Sequence, residues 1–306
     1  MVKPVKRSDS ASLHSIKISP FVQNSLLTVR APAKINWFLD ILQKRKDGYH
    51  DIISLMQCVS LYDELIFDHA DSITVESDMD IPVSDNLVYK AAAFLKKAVS
   101  YPNGARILVR KEVPVSAGLG GGSSDAAYTL AGLNILWGLG LQQEELCSIG
   151  ARIGSDVPFF FHAPAALVEG KGDRVQSMSI GQSCRLLLVN PRVNVSTAWA
   201  YDAFDQLSEG TLTKKPIDIK LFCQALQNQD YRFLACMLFN DFEHVIMREY
   251  PSVGEIKNKL IEMGAEVSLM SGSGPTVFGV FRSREAAEKA LQVVGPHWCR
   301  IVETLV

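Results

Sequence analysis

The sequence has almost no net charge, no long hydrophobic run and no paired cysteine motif. Among its 306 residues, 31 are Lys or Arg and 33 are Asp or Glu, so the formal net charge of −2 does not predict a nucleic-acid partner. Apolar runs such as Val157–Phe161 and Leu186–Val189 are far shorter than the roughly 20 residues that cross a bilayer. The six cysteines form no C-x-x-C pair and lie near no histidine pattern, which excludes a disulfide or zinc framework. We therefore expect a cytoplasmic protein with reduced thiols and with neither nucleic acid nor a membrane as partner; its oligomeric state stays open.

Two common phosphate-binding motifs are also missing from the glycine-rich stretch between Pro114 and Ala127. A Walker A loop counted from Gly118 would need a lysine where the sequence has Ser123, Ser124 and Asp125 in its last three positions. The dinucleotide fingerprint G-x-G-x-x-G fails because its final position is Ser123. Neither a Walker-type ATPase nor a Rossmann dinucleotide enzyme is therefore predicted.

What the stretch does contain is a dense glycine cluster that leads into a helical pattern. Apolar residues follow it at steps of three and four, namely Ala126, Ala127, Leu130, Leu133 and Trp137, which predicts a helix with one apolar face. Ser123, Ser124 and Asp125 lie where an N-cap is expected. Glycine permits positive φ and a close backbone approach, and the first turn of a helix offers free N–H groups and a positive dipole end. The pattern predicts a cradle for the phosphates of a nucleotide; the alternative is a glycine turn that only tightens strand–helix packing.

Three segments of the sequence resemble the motifs of the GHMP kinases. They are the stretch Pro114–Ala127, the segment Pro-Ala-Lys-Ile-Asn at residues 32–36, and Ser271-Gly-Ser-Gly-Pro-Thr-Val-Phe at residues 271–278. The resemblance implies an α+β, two-domain GHMP kinase fold. Its N-terminal nucleotide-binding domain, residues 26–168, would be like domain 2 of ribosomal protein S5. Its C-terminal domain, residues 169–306, would be ferredoxin-like, with the active site between the two.

The first 25 residues lie before the resemblance begins. They contain Lys3, Lys6, Arg7, Lys17 and several serines but only one acid, Asp9. We expect residues 1–25 to be a disordered or loosely attached extension, because no amphipathic pattern develops there. The alternative is a transit peptide, which would direct the protein to a plastid instead of the cytoplasm.

Two further segments resemble one subgroup of the family, whose acceptor is a cytidylated methylerythritol. They are Asp47-Gly-Tyr-His-Asp and Gly154-Ser-Asp-Val-Pro. The resemblance implies ATP-dependent phosphorylation of the 2-hydroxyl of this small molecule in the non-mevalonate route to isopentenyl diphosphate. The alternatives are another GHMP kinase, such as mevalonate or homoserine kinase, and a nucleotide-binding sensor that has lost catalysis. The segment Gly48-Tyr49-His50 disfavours the first alternative, and the presence of Lys34 and Asp156 disfavours the second.

By this resemblance, catalysis rests on Asp156 as general base and Lys34 as its cation. From the residues alone, the alternative for Asp156 is a cap of the following helix turn, and the spacing of Lys34 favours a solvated surface residue. ATP and Mg²⁺ are the implied cofactors, with Mg²⁺ bridging the phosphates and Ser124 as its protein contact. The implied nucleotide-binding residues are Asn86, Lys111, Pro114, Val115, Ser116, Ala117, Gly118, Leu119, Gly120, Gly121, Gly122, Ser123 and Ser124.

The resemblance also implies a set of acceptor-binding residues: Asn36, Tyr49, His50, Asp156, Thr197, Tyr201, Gly272, Ser273 and Gly274. Tyr49 would stack on the cytosine ring, His50 would hydrogen-bond to it, and Tyr201 would close over it opposite Tyr49. An aromatic face stacks on a base with about 1–3 kcal/mol. Simpler interpretations remain for three residues of the two sets: core packing for Tyr201, a helix cap for Asn86 and an exposed loop lysine for Lys111.

The sequence departs from the family pattern at two points. Ser116 and Ala117 replace a Gly-Gly pair before the glycine run, which we expect to alter loop flexibility but not the backbone amides. Asp125 stands where some members have asparagine. We expect this second acid to weaken phosphate binding unless Mg²⁺ screens it.

Overall fold

The structure is a computed structural model that describes residues 21–23, 26–79, 82–83, 85–208 and 217–306. Its strands are β1 (Phe21–Gln23), β2 (Leu26–Lys44), β3 (His50–Ala70), β4 (Thr74–Ser77), β5 (Gly104–Arg110), β6 (Ala165–Gly170), β7 (Arg174–Ser177), β8 (Arg185–Asn190), β9 (Val267–Met270), β10 (Val277–Phe281) and β11 (Trp298–Glu303). Its helices are α1 (Leu87–Ala98), α2 (Gly121–Leu136), α3 (Gln143–Gly150), α4 (Val157–Phe161), α5 (Thr197–Ser208), α6 (Ile219–Gln227), α7 (Tyr231–Ala235), α8 (Glu243–Glu249), α9 (Pro251–Glu262) and α10 (Arg284–Val293).

The first sheet is built on a long hairpin of β2 and β3. The turn between them contains Gly48 at φ +87°, a conformation that glycine adopts readily. Strand β2 runs through Pro32, which is accommodated by a shift of register between Pro32 and Ala33. Strands β5 and β6 pair with the two halves of β3, and β1, β4 and β7 complete the seven-stranded sheet. Lys34 and Asn36 therefore lie in the middle of a buried strand.

Helix α2 packs on this sheet and is buried on nearly every side. The sequence predicts one apolar face, but twelve residues of the helix are buried, from Gly121 to Asn134, because α1, α3 and α4 cover the sides that the sheet leaves open. A helix that is apolar all round is typical of such a central position. Gly132 permits the close packing, since a Cβ there would lie 2.7 Å from the ring of Phe67.

The second sheet has four strands in the order β11-β8-β10-β9. In chain order these are the fourth, first, third and second strands, with helices after the first and third, as in a ferredoxin-like βαββαβ unit. The predicted α+β class with two sheets is confirmed. The predicted division at 168/169 falls inside β6, however, and the change of sheet occurs between Ser177 and Arg185.

Part of the expected N-terminal extension belongs to the first sheet. Phe21–Gln23 pairs antiparallel with Leu26–Thr28 of β2. The expectation of a loose segment is therefore wrong for these three residues. The expectation, like the transit-peptide alternative, otherwise falls on residues outside the described part of the chain. All six cysteines are free, and no helix in the described ranges could span a bilayer.

Candidate active site

A cavity of about 560 Å³ lies between the two sheets, and residues of both domains line it. The predicted site residues in its wall are Lys34, Asn36, Asn86, Lys111, Pro114, Val115, Ser116, Gly118, Gly120, Gly121, Gly122, Ser123, Asp156, Thr197, Tyr201, Gly272 and Ser273. The predicted residues outside the wall are Tyr49, His50, Ala117, Leu119, Ser124 and Gly274. The structure thus brings together segments that are far apart in the sequence, from strand β2 to the turn between β9 and β10.

The glycine loop ends in a helix start that differs from the predicted one. Helix α2 begins at Gly121, and its N-cap is Gly120 in the left-handed conformation, φ +69°, without a side-chain cap. The predicted N-cap at Ser123–Asp125 is therefore wrong: these residues already lie in the first turn. The first intrahelical bond is donated by the Ser124 N–H, so the amides of Gly121, Gly122 and Ser123 precede it. These three amides belong to residues of the cavity wall, where the predicted anion cradle is expected.

Two glycine segments of the chain meet backbone to backbone at the centre of the cavity. Gly118 has φ +74°, and a Cβ there would lie 2.1 Å from the carbonyl oxygen of Ser271. The hydroxyl of Ser271 donates to the Gly118 carbonyl at 3.0 Å. Gly272 has φ +56°, and a Cβ added there would lie 2.9 Å from the carbonyl oxygen of Gly118. Residues 271–275, the C-terminal glycine turn, therefore support residues 114–120, the predicted phosphate loop. A Cβ on Gly274 in this turn would face Met270 instead of the cavity.

Lys34 and Asp156 face each other across this contact. The Lys34 Nζ lies 3.8 Å from Asp156 Oδ2 and donates to Asn36 Oδ1 at 2.6 Å and to the Gly118 carbonyl at 2.9 Å. Lys34 is 2% exposed, which rules out a solvated surface lysine. Burial lowers the pKa of Lys34, and the charge of Asp156 opposes this effect. The pair presents a carboxylate to the cavity with an ammonium group beside it.

Asp156 does not serve as a helix cap. It precedes α4, but its backbone is already helical and its side chain makes no capping hydrogen bond. Its carboxylate is 31% exposed, towards the cavity. The buried run Val157–Phe161 that follows fixes its position, because all five of those residues are buried. The arrangement leaves the carboxylate available to accept a proton.

Lys111 is neither an exposed loop residue nor a free cation. Its ammonium group forms ion pairs with Asp63 and with Asp125, the latter at 2.6 Å, and all three side chains are at most 4% exposed. Asp63 also accepts the N–H groups of Glu112 at 2.7 Å and Val113 at 2.9 Å. Asp125 lines the cavity, as expected of a second acid near the glycine loop, and its carboxylate shares the Lys111 ammonium with Asp63. Its effect on phosphate binding stays a prediction.

The charges of this cluster (Asp63, Lys111 and Asp125) perturb one another. Burial lowers the pKa of Lys111, but the two carboxylates more than offset it, and the pKa is raised. Burial raises the pKa of Asp125 to about 7, with Lys111 opposing and Asp63 adding to the rise. Both pKa values are raised because one ammonium lies between two carboxylates, and the excess negative charge favours bound protons. Lys111 thus links β3, the loop before Pro114 and α2.

The predicted metal contact, Ser124, is buried at the base of the first turn of α2. Its Oγ has no hydrogen-bond partner among the described residues, and neither does Asp125 Oδ1. Nowhere in the described ranges do three or more His, Cys, Asp or Glu side chains form a group that could hold a metal ion. Ser124 stays the predicted metal contact, although it lies outside the cavity wall.

Asn86 caps a helix and also lines the cavity, so the cap does not exclude the predicted nucleotide contact. Its Oδ1 accepts the N–H of Val88 at 2.9 Å and so caps α1, while the residue also lines the cavity. Leu87 and Val88 continue the cavity wall at this end. The start of α1 therefore adds two apolar side chains, beside Asp85 and Asn86, to the wall of the cavity.

Tyr201, at the other end of the cavity, packs against two aromatic rings. Its ring stacks on His50 at 4.8 Å between centroids and packs edge-on against Phe242. His50 is buried and its Nε2 lies 2.6 Å from Asp205 Oδ1. The packing interpretation of Tyr201 therefore applies in this structure, although Tyr201 also lines the cavity.

Tyr49 is 57% exposed at the rim, and the ammonium of Lys171 lies 5.3 Å from the centre of its ring. Lys171 lines the cavity, and Thr197 and Ser273 form a hydroxyl–hydroxyl hydrogen bond of 2.8 Å in its wall. Sequence reasoning missed Lys171 and Phe242. The only available signal was the polar turn Glu169-Gly-Lys-Gly-Asp, which without a fold is an ordinary turn between strands.

Comparison with known proteins agrees with this geometry. The family model for the N-terminal domain of GHMP kinases matches residues 86–163, and that for their C-terminal domain matches residues 217–299. Homoserine kinase from Cytophaga hutchinsonii has the same fold, with a TM-score of 0.67 at 16% identity over 94% of this chain and 97% of that one. The fold is thus that of a GHMP kinase.

More similar proteins narrow the class. The 4-diphosphocytidyl-2-C-methyl-D-erythritol kinase of Thermodesulfovibrio yellowstonii is 48% identical over 92% of this chain and 99% of its own length. That of Pelobacter propionicus is 43% identical over 91% and 99%. A crystal structure of 4-(cytidine 5'-diphospho)-2C-methyl-D-erythritol kinase superposes with a TM-score of 0.76 at 29% identity, over 90% and 98%. The chain belongs to the 4-diphosphocytidyl-2-C-methyl-D-erythritol kinase family, and the resemblance inferred from its motifs is confirmed.

Proposed function

We propose that this protein transfers the γ-phosphate of ATP to the 2-hydroxyl of 4-diphosphocytidyl-2-C-methyl-D-erythritol. The products are the 2-phosphate and ADP, and the reaction belongs to the non-mevalonate route to isopentenyl diphosphate. The observation that carries the proposal is the pair of Lys34 and Asp156, 3.8 Å apart, beside a backbone cradle in one cavity. The names of the relatives support the choice of substrate.

The phosphate loop and the start of α2 are the proposed site of the triphosphate. The amides of Gly121, Gly122 and Ser123 donate to phosphate oxygens, and the positive end of the helix dipole favours their charge. The part of the cavity at Asn86 and Leu87 accommodates the adenine. Lys111 is revised from a nucleotide contact to a structural residue, because its ammonium is already paired with Asp63 and Asp125.

Asp156 and Lys34 carry out the proton and charge chemistry. Asp156 accepts the proton of the substrate hydroxyl, and the hydroxyl oxygen then attacks the γ-phosphorus in line with the departing ADP. Lys34 lies within reach of Asp156 and of the phosphate loop, so its charge stabilises the transferring group. The backbone oxygen of Gly118 and the amide of Asn36 hold the ammonium in place.

A magnesium ion fits this arrangement as a partner of the nucleotide. Ser124 Oγ, buried and without a partner among the described residues, is the oxygen we assign to it. When bound, Mg²⁺ neutralises phosphate charge that develops during transfer. Replacement of Ser124 by alanine is expected to raise the Mg²⁺ concentration required for half-maximal activity.

The acceptor is placed at the end of the cavity that the C-terminal domain lines. The hydroxyls of Thr197 and Ser273 are the proposed contacts of its polar groups, and Tyr49 and His50 remain the predicted cytosine contacts. Lys171 adds a cation that the sequence analysis did not assign, and the diphosphate of the substrate is the group that its charge suits. Stacking on Tyr49 is compatible with its exposure, whereas His50 first has to leave Asp205 or use its other ring nitrogen.

The test is ADP release by the purified protein with Mg-ATP and each of three alcohols: the cytidylated methylerythritol, mevalonate and homoserine. Turnover only with the first, lost in Asp156→Asn, supports the proposal. Turnover with another alcohol would contradict the substrate but keep the kinase. Nucleotide binding without turnover of any of them would support the sensor alternative. A cytoplasmic location is part of the proposal, and import of a fusion that carries residues 1–25 into isolated plastids would overturn it.

A further inference from the structure

Asn240, between α7 and α8, is a buried residue whose amide holds the C-terminal glycine turn. It is 2% exposed. Its Nδ2 donates two hydrogen bonds of 2.8 Å each, to the carbonyls of Met270 and Gly272, and its Oδ1 accepts the N–H of Phe242 at 3.0 Å. Both donors of the amide are thus used on one turn, and the acceptor fixes the residue to its own segment.

Gly272 is the point at which this turn touches the reaction centre. A Cβ on Gly272 would lie 3.1 Å from Lys34 Nζ and 2.9 Å from the Gly118 carbonyl. That carbonyl is one of the two neutral oxygens that hold the Lys34 ammonium. A displacement of Gly272 therefore changes the space around the ammonium group and the loop that supports it.

The segment of Asn240 is itself fixed to β2, the strand that carries Lys34. The Leu39 N–H donates to the Phe239 carbonyl at 2.9 Å, and the Asp241 N–H donates to the Leu39 carbonyl at 3.0 Å. The Asp241 carboxylate accepts the N–H of Ile41 at 2.7 Å. Asn240 is consequently a bridge between the strand of the catalytic lysine and the turn that packs on that lysine.

We propose that Asn240 is a positioning residue for phosphoryl transfer. By holding the carbonyls of Met270 and Gly272, it fixes the glycine turn against Lys34 and Gly118 and so sets the position of the ammonium relative to Asp156. The expected effect on turnover rests on the proposed function, whereas the placement of the turn by Asn240 does not depend on it. A displacement of about 1 Å of a reacting group costs up to 10²-fold in rate, so the loss of this support is expected to affect turnover.

The test compares Asn240→Asp with a matched control, Asn134→Asp. The aspartate keeps the size and the acceptor of Asn240 but removes both donors. Asn134, on α2, is 8% exposed and exchanges two hydrogen bonds of 3.0 Å with the backbone of Leu141, away from the cavity. Asn134→Asp therefore removes a buried hydrogen bond to the Leu141 carbonyl and leaves the C-terminal glycine turn unchanged.

Turnover of Asn240→Asp is expected to fall by roughly 10- to 100-fold in kcat, with the Kd for ATP changed by less than about threefold. Asn134→Asp is expected to lose thermal stability while its kcat, measured well below its Tm, stays within about twofold of the parent. An unchanged kcat in folded Asn240→Asp would overturn the proposal. Equal losses of kcat in the two variants would also overturn it, because they would indicate a general structural effect.

Hydrogen exchange supplies a readout that does not depend on the reaction. In Asn240→Asp, peptides that cover residues 268–276 and 114–124 are expected to exchange about tenfold faster than in the parent, and in Asn134→Asp they are not. If the parent does not turn over the cytidylated substrate, the proposed function fails and the exchange result alone decides the placement of the turn. If Asn240→Asp does not fold, Asn240→Ser, which keeps one short donor, replaces it, and exchange unchanged in that variant would overturn the proposal.

Discussion

Lys34 and Lys111 are two buried lysines in the wall of the same cavity, and both were predicted to serve the active site. They differ in what surrounds the ammonium group. Lys34 donates to two neutral oxygens and has one carboxylate, Asp156, at 3.8 Å. Lys111 lies between two carboxylates in direct contact. Burial lowers the pKa of Lys34, whereas the two acids raise that of Lys111 despite its burial.

The difference separates a functional charge from a structural one. Neither burial nor position in the cavity distinguishes the two lysines. A cation whose charge is matched by nearby carboxylates stabilises the fold and has little left for a ligand, and its removal leaves buried charges without a partner. A buried cation held by neutral oxygens retains most of its field for the substrate. From the balance of charge around each lysine, we infer that Lys34 acts on the substrate and that Lys111 stabilises the fold.

The largest expected effect comes from the pair at the reaction centre. Asp156→Asn removes the proton acceptor and is expected to lower kcat by roughly 10²- to 10⁴-fold, the usual contribution of a general base. Because the carboxylate is partly exposed and caps no helix, the urea midpoint is expected to change little. Steady-state ADP release and urea denaturation measure the two quantities. A variant with kcat near that of the parent would show that another group accepts the proton.

The second effect concerns Lys111 and is expected in stability instead of chemistry. Lys111→Met leaves Asp63 and Asp125 without their cation, and breaking a buried pair in this way costs about 3–5 kcal/mol of the free energy of unfolding. Addition of Asp125→Asn to the same chain is expected to recover part of the loss, because one of the two charges is then removed. Urea unfolding of the single and double variants measures both. A stable Lys111→Met protein that has lost nucleotide binding would restore the role first predicted for this lysine.

A matched pair of glycines tests the contact between the two glycine segments. Gly118 and Gly48 both have positive φ, but a Cβ at Gly118 would meet the Ser271 carbonyl at 2.1 Å, whereas at Gly48 no atom lies within 4 Å. Gly118→Ala is expected to weaken ATP binding at least tenfold, because the loop must move. Gly48→Ala carries only the strain of its conformation, about 1–2 kcal/mol. Calorimetric titration with an ATP analogue compares them, and equal affinities would contradict the assigned packing.

The pH dependence of turnover sharpens the assignment of Lys34. The lysine must be protonated to act as a cation, and burial lowers its pKa from the ordinary 10.5, with Asp156 opposing. As the pH rises, the ammonium therefore loses its proton earlier than an exposed lysine does, and kcat is expected to decline below pH 10.5. A profile of kcat between about pH 7 and about pH 10, with the fold checked by circular dichroism at each point, measures this. A flat profile would contradict the role of the charge.

The smallest expected effect belongs to Lys171, which is exposed at the rim. Its charge is screened by solvent, so Lys171→Met is expected to raise the KM of the acceptor by roughly two- to fivefold, with kcat and the KM of ATP unchanged. Added salt is expected to reduce the difference between variant and parent. Initial rates at two ionic strengths measure it. An increase confined to the KM of ATP would move Lys171 to the other end of the cavity.

What the sequence could predict are features carried by consecutive residues. The glycine loop, Asp156 before its apolar run, and Lys34 within its motif all contribute to the wall of the cavity. The helix start could not be placed, because the left-handed Gly120 ends the loop and nothing in the propensities of Gly121 and Gly122 favours a helix there.

Partners that are distant in the sequence could not be predicted. The role of Lys111 depends on Asp63, 48 residues away, and only the pairing of β3 with β5 brings the two together. Asn240 reaches Gly272, 32 residues on, through the packing of the segment after α7 against β2. Tyr201 stacks on His50 because α5 packs beside the hairpin, which no local pattern indicates.

The most direct test of the contrast between the lysines is a single-turnover experiment with Lys34→Met and Lys111→Met. Both proteins are used at a temperature at which circular dichroism shows them folded, with radiolabelled γ-phosphate and the cytidylated acceptor. Transfer of the label is expected to fall at least 10²-fold in Lys34→Met and to stay within about fivefold of the parent in folded Lys111→Met. Transfer that survives the loss of Lys34, or is lost with Lys111 in a folded protein, would contradict that contrast.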